Sequence, residues 1–280
     1  MELYSSHSWI SMTAFNTKRT FGPTPNYPRV LAYARTHEDL ITIAGPCSIE
    51  SSEQIHSCAS TCLRAGVSYM RGGIYRAGTY PPKDFGLQKE LLVEWSRIAH
   101  FYYNIKTIVE VLDFRLLKYL DQFADAFQVG ARQMQNYALL KELSNQSKSV
   151  ALKRNPGATL DEFLGAAEYL LSGSMPPPII LIERGSATHS NHVRWDLSCS
   201  IISAVKKMTK IPILVDSSHG SGRRDLVTPL TLAGIAAGAD GYLVEFHPTP
   251  EKSLSDADQA ISIDDFINLN QKVFQLKGIL

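Results

Sequence analysis

An α/β fold, a (β/α)8 (TIM) barrel preceded by a short N-terminal extension, is what this sequence predicts, on three observations. Short apolar runs alternate with longer amphipathic patterns eight times between residues 41 and 276. No short repeat, low-complexity tract or long linker interrupts the series, so no domain boundary falls inside it. The apolar runs end in glycine, charged or metal-ligating residues, which is where parallel α/β proteins keep their chemistry. The expected strands are 41–44, 68–72, 106–110, 125–129, 149–153, 178–182, 212–216 and 241–246. The expected helices are 53–65, 87–100, 114–121, 135–143, 160–172, 196–208, 225–238 and 263–276. Residues 1–35, rich in Ser, Thr, Asn and Pro with weak periodicity, form the extension, and 36–280 the barrel. Periodicity does not encode sheet closure, so a doubly wound open sheet is the alternative.

The composition narrows the function. With 280 residues, 44% of them hydrophobic, the chain can bury a large core. Its 28 Lys and Arg against 27 Asp and Glu give no prior for nucleic acid or an acidic membrane surface. No apolar stretch approaches the roughly 20 residues that span a bilayer, and no signal-peptide pattern opens the chain, so a cytoplasmic protein is expected. The four cysteines, Cys47, Cys58, Cys62 and Cys199, form no C-x-x-C pair and suit a reducing compartment.

Strand one ends in Ala44-Gly45-Pro46-Cys47-Ser48, where a Gly-Pro turn would carry the thiol into the barrel mouth. Strand two ends in Arg71-Gly72-Gly73 and runs on through Arg76 to Thr79, glycines for close backbone approach beside fixed positive charge. Glu110 and Asp113 close strand three and read as counter-ions that orient neighbouring cations. Arg132, Lys153 with Arg154, and Arg184 follow strands four, five and six. Any one of these cations alone reads as a solvated surface charge. Together, in a near-neutral protein, they predict a mouth built for carboxylate and phosphate. His189 and His192, in a Ser- and Asn-rich loop, read as surface residues, and Arg223-Arg224-Asp225 as either a salt-bridge cluster or a phosphate-holding helix start.

The last third organises the rest. Strand seven ends in Asp216-Ser217-Ser218-His219-Gly220, strand eight in Glu245-Phe246-His247-Pro248, and Asp256 follows in the next loop. One nitrogen and two carboxylates on one face make a divalent-metal constellation with room for a fourth ligand, and Cys47 is placed to supply it.

These motifs, AGPCS, RGG, GARQMQN, LKR, ERG, VDSSHGSGRRDLV, VEFHP and LSD, stand in the order and spacing of the 3-deoxy-D-arabino-heptulosonate 7-phosphate (DAHP) synthases. The chain resembles the type I beta branch, which is shared with the 3-deoxy-D-manno-octulosonate 8-phosphate synthases, over about residues 40 to 260. The resemblance implies a metal-dependent transferase of the shikimate pathway to aromatic amino acids. It would condense phosphoenolpyruvate with erythrose 4-phosphate and release phosphate. By the same resemblance Cys47, His219, Glu245 and Asp256 match ligands of a divalent Mn, Fe, Zn or Co ion. Arg71, Arg76, Thr79, Arg132, Lys153 and Arg184 match substrate-binding positions, with Arg76, Lys153 and His219 in catalytic roles. The expected partners are the two substrates and further copies of the chain, as a dimer or tetramer.

One segment departs from that pattern. Where the family has Lys-Pro-Arg-Thr-Ser this chain has Arg76-Ala77-Gly78-Thr79-Tyr80, which loses the guanidinium that holds the phosphate of erythrose 4-phosphate. A missing charge-assisted contact costs on the order of 1.5–3 kcal/mol. Two alternatives follow: the same reaction on a different aldehyde, and an inactive barrel kept as a binding subunit.

Overall fold

The computed structural model describes residues 27–34, 40–76 and 86–280, with the backbone alone at 75–76 and 86–87. Most of the N-terminal extension, the Arg76 side chain, Gly78, Thr79 and Tyr80 therefore lie outside the described residues.

Eight parallel strands close into a barrel. They are β1 (Ile41–Gly45), β2 (Tyr69–Arg71), β3 (Thr107–Glu110), β4 (Ala126–Val129), β5 (Ser149–Lys153), β6 (Ile179–Glu183), β7 (Ile213–Asp216) and β8 (Gly241–Glu245). Closure comes from β1 pairing with β8 in register from Ile41–Gly241 to Gly45–Glu245. The closed barrel, not the open sheet, is the outcome, and each strand falls within about two residues of its expected ends. Helices alternate with the strands: α1 (Ser52–Ala65), α2 (Lys89–Arg97), α3 (Leu117–Leu120), α4 (Tyr137–Leu143), α5 (Leu160–Leu170), α6 (Cys199–Met208), α7 (Arg224–Ala236) and α8 (Ile263–Lys277). Local chemistry sets their ends. Ser51 caps α1 and Gly66 stops it in the left-handed conformation at φ 66°. Thr159 and Glu162 form a capping box on α5, and Ser262 caps α8 ahead of Asp264 and Asp265.

Two apolar layers hold the barrel. One lies between strands and helices and includes Trp95, Phe127, Phe163 and Phe266. The other contains strand residues only, among them Ile43, Ile108, Ala151, Ile182, Leu214 and Leu243, and is the plug inside the barrel. Side chains alternate along a strand, so the next inward position after each plug residue is two further on. Those positions are Gly45, which has no side chain to add, and Glu110, Lys153, Arg184, Asp216 and Glu245. The interior thus changes from aliphatic to ionic within one layer at the C-terminal end of the strands.

Candidate active site and metal centre

The ionic layer floors a cleft of about 470 Å³ at the C-terminal end of the barrel, walled by Arg132, Asn155, Arg194 and Trp195. A larger cavity of about 630 Å³ opens at the opposite end, and Lys106 is the one charged residue among its described lining. Convergent charge, not volume, marks the smaller cleft as the site.

Cys47, Glu245 and Asp256 come together as the sequence predicts, their ligand atoms all within 4.8 Å of one another. Cys47 Sγ lies 3.2 Å from Asp256 Oδ2. The fourth expected ligand, His219, stands beside this group, with Nε2 3.3 Å from Glu245 Oε1. It sits in a short helical turn, Ser217–Ser221, which Asp216 caps by accepting the His219 backbone N–H. The Asp216 carboxylate also takes His219 Nδ1 at 2.8 Å and Lys153 Nζ at 2.9 Å. With Nδ1–H given to Asp216, Nε2 meets Glu245 either as the N–H of an imidazolium or as a lone pair sharing a cation. Sulfur, imidazole nitrogen and carboxylate oxygens are a donor set that fits a borderline divalent metal.

Electrostatics bind the layer together. Burial alone would raise the Asp216 carboxyl, but His219 and Lys153 overcome it and hold that group well below the usual carboxylate range. Burial likewise opposes ionisation of Glu245, which His219, Arg71 and the Gln259 amide hold down to about 2. Arg71 Nη1 donates to Glu245 Oε1 at 2.5 Å and to the Pro46 carbonyl, while Gln259 donates to Oε2 at 2.6 Å. The Cys47 thiol is pushed well above its ordinary value by burial and by the Glu245 charge. A cation at this point would reverse that balance and favour the thiolate.

Arg132, Lys153 and Arg184 all line the cleft. Arg184 is 7% exposed, makes no side-chain hydrogen bond among the described residues, and leaves its Nε buried without a partner. Arg154, one residue past Lys153, points the other way and is locked to Glu183 at 2.5 Å outside the barrel interior. Glu110 lines the cleft, but Asp113 does not orient the cations: it caps the turn at Phe114 and pairs with exposed Arg115. Arg223 and Arg224 are committed to Asp225 and Glu251 and do not line the cleft, so the salt-bridge reading of that cluster holds. Arg194 and Trp195 went unsingled in the sequence, since they sit in an aperiodic loop beside His189 and His192, which are exposed as expected.

The profile of the DAHP synthetase I family matches residues 34–280. The chain belongs to that family. It is 41% identical over 238 residues to the phospho-2-dehydro-3-deoxyheptonate aldolase of Thermotoga maritima, covering 85% of this chain and 70% of that one. A truncated 3-deoxy-D-arabino-heptulosonate 7-phosphate synthase from Thermotoga maritima superposes with a TM-score of 0.77 at 39% identity, over 86% of this chain and 87% of the other. A 2-dehydro-3-deoxyphosphooctonate aldolase from Desulfotalea psychrophila is 26% identical over 260 residues, covering 86% of this chain and 91% of its own. As a DAHP synthetase I family member the chain is a transferase of the aldol-condensation type, with a candidate divalent-metal centre at Cys47, Glu245 and Asp256. Among the described residues no helix is long and apolar enough to cross a membrane.

Proposed function

We propose that this enzyme joins phosphoenolpyruvate to erythrose 4-phosphate. In that reaction C3 of phosphoenolpyruvate bonds to the aldehyde carbon, the aldehyde oxygen takes a proton, water adds at C2, and inorganic phosphate leaves. The observation that carries the reading is the juxtaposition, in one cleft, of the Cys47, Glu245 and Asp256 donors with the buried cation Arg184. Arg132 and Arg184 receive the phosphate of phosphoenolpyruvate, and Lys153 and Arg71 its carboxylate. Cys47, Glu245 and Asp256, with His219 as fourth ligand, would hold a divalent metal, which would supply Lewis acidity for the aldehyde. Asp216 keeps His219 in one tautomer and Lys153 at one place, so two roles share one anchor. Arg76 and Thr79 are assigned to substrate from the sequence alone.

A second reading changes only the acceptor, and the sequence favours it with Gly78 where the family has a phosphate-binding Arg and Tyr80 where a Ser is usual. Phosphate release from phosphoenolpyruvate by the manganese-loaded protein, over a panel of phosphorylated and unphosphorylated aldehydes, decides between them. Release with no aldehyde in the panel would defeat both.

The catalytic unit in this reading is residues 36–280, acting in the cytoplasm as a dimer or tetramer. The four unbridged cysteines support a reducing compartment. Light scattering on the purified protein measures the assembly.

A further inference from the structure

The buried cations in and directly behind the ionic layer are paired with carboxylates, with one exception. Lys153 has Asp216 at 2.9 Å, Arg71 has Glu245 at 2.5 Å, and Arg154 has Glu183 at 2.5 Å. Arg184 follows directly on Glu183, yet that carboxylate is taken by Arg154. Its guanidinium instead lies over the ring of Trp195, 5.7 Å from the centroid.

A π face and a carboxylate hold a guanidinium to different effect. A carboxylate fixes it bidentately and cancels its charge. An aromatic face restrains its plane and attracts the cation while leaving the in-plane N–H groups and most of the charge for a ligand. The surrounding structure is built to seat that ring. Gly185 has φ 99°, and a Cβ there would meet Trp195 Cβ at 2.6 Å, so the glycine following Arg184 lets the base of the Trp195 side chain approach closely. The loop is pinned on both sides of Trp195. Arg194 N donates to the Ser221 carbonyl at 2.8 Å, and Ser186 and Asp196 exchange backbone hydrogen bonds at 2.8 and 3.0 Å. Burial lowers the Arg184 pKa, and the nearby Asp216 and Glu183 carboxylates, neither of them hydrogen-bonded to it, do not offset the effect.

We propose that Trp195 is a positioning residue: it presents Arg184 to the incoming phosphoester as an oriented cation whose charge is not already spent. This rests on the reading that the cleft binds phosphoenolpyruvate, and the test separates the two. Calorimetry with phosphoenolpyruvate and with inorganic phosphate is run on the wild type, Trp195→Phe, Trp195→Leu and Arg184→Ala, with steady-state kinetics alongside.

Trp195→Leu keeps apolar bulk but has no π face, and it should weaken both anions on the order of tenfold. The loss should appear in the KM for phosphoenolpyruvate, with kcat moving less than about threefold. Trp195→Phe should recover most of the affinity. In an Arg184→Ala background Trp195→Leu should add little further loss, since the pair acts as one unit. Equal affinities for the Leu and Phe variants, or a full Trp195→Leu loss without Arg184, would overturn the proposal. Wild-type protein that binds phosphate but not phosphoenolpyruvate would defeat the functional reading, while the phosphate measurements still decide the part played by Trp195.

Discussion

The guanidinium of Arg154 and the carboxylate of Glu183 meet through two hydrogen bonds, Nε to Oε2 at 2.5 Å and Nη2 to Oε1 at 2.9 Å. Both side chains are essentially inaccessible, at 1% and 0% exposure. Arg154 also donates to the carbonyls of Asn155, Ala158 and Gly185, so the pair ties together the loops that follow β5 and β6. Removing one partner leaves the other charged and buried. Glu183→Ala is expected to cost about 3–5 kcal/mol of stability, measured by urea unfolding. The paired replacement Arg154→Met with Glu183→Leu should cost less than that single change.

Metal affinity should depend on residues that are far apart in sequence. Asp256→Asn and Cys47→Ala are each expected to weaken manganese or zinc binding by at least about 100-fold in calorimetric titrations. Asp216→Asn, which touches His219 and not the cluster itself, should weaken it by about 10- to 100-fold. An affinity indifferent to Asp216 would mean that His219 needs no orienting partner.

Acid should loosen the chelator-treated protein through Glu245. Its folded carboxyl sits at about 2 against an ordinary value of 4.5, so the ionised form stabilises the fold above about pH 4.5. That contribution declines as pH falls and is lost on passing the folded value. Thermal unfolding followed from pH 6 to pH 3 should show a decline that Glu245→Gln flattens, because the amide cannot titrate.

Arg184→Ala should weaken phosphoenolpyruvate by more than tenfold, as expected for a charge-assisted contact worth about 1.5–3 kcal/mol. Lys153→Ala should do the same and also destabilise the fold, since it leaves Asp216 with one cation fewer. Comparing affinity with melting temperature for the two variants tells the roles apart.

For the acceptor, the second reading predicts that erythrose 4-phosphate is a poor substrate of the wild type and that Gly78→Arg improves its kcat/KM by about tenfold or more. A micromolar KM in the wild type with no gain in the variant would return the acceptor pocket to the ordinary kind.

Much of this is legible in the sequence. The strands showed as apolar runs, and Cys47, Arg132, Lys153, Arg184, His219, Glu245 and Asp256 announced themselves by standing at or beyond strand ends. What could not be read was direction. Lys153 and Arg154 are adjacent and chemically alike, yet the two-residue alternation sends one into the cleft and the other behind the wall. Asp113 looked like a partner for the cations, but a carboxylate two residues before Arg115 at the start of a turn finds a nearer donor. Trp195 lay in a loop without periodicity, where only tertiary contacts give a residue its neighbours.

The ion pair between Arg71 and Glu245 also bears on how the polypeptide is made. Synthesis delivers β2 long before β8, so the Arg71 guanidinium waits through some 170 residues of translation, by the 174-residue separation of the pair, for the acid that balances it. A partly emerged chain that packed β2 natively would bury that charge without the carboxylate that pairs with it directly, at a cost of several kcal/mol. The first strands are therefore expected to stay loosely organised on the ribosome, and the barrel to settle only once its final strand is released.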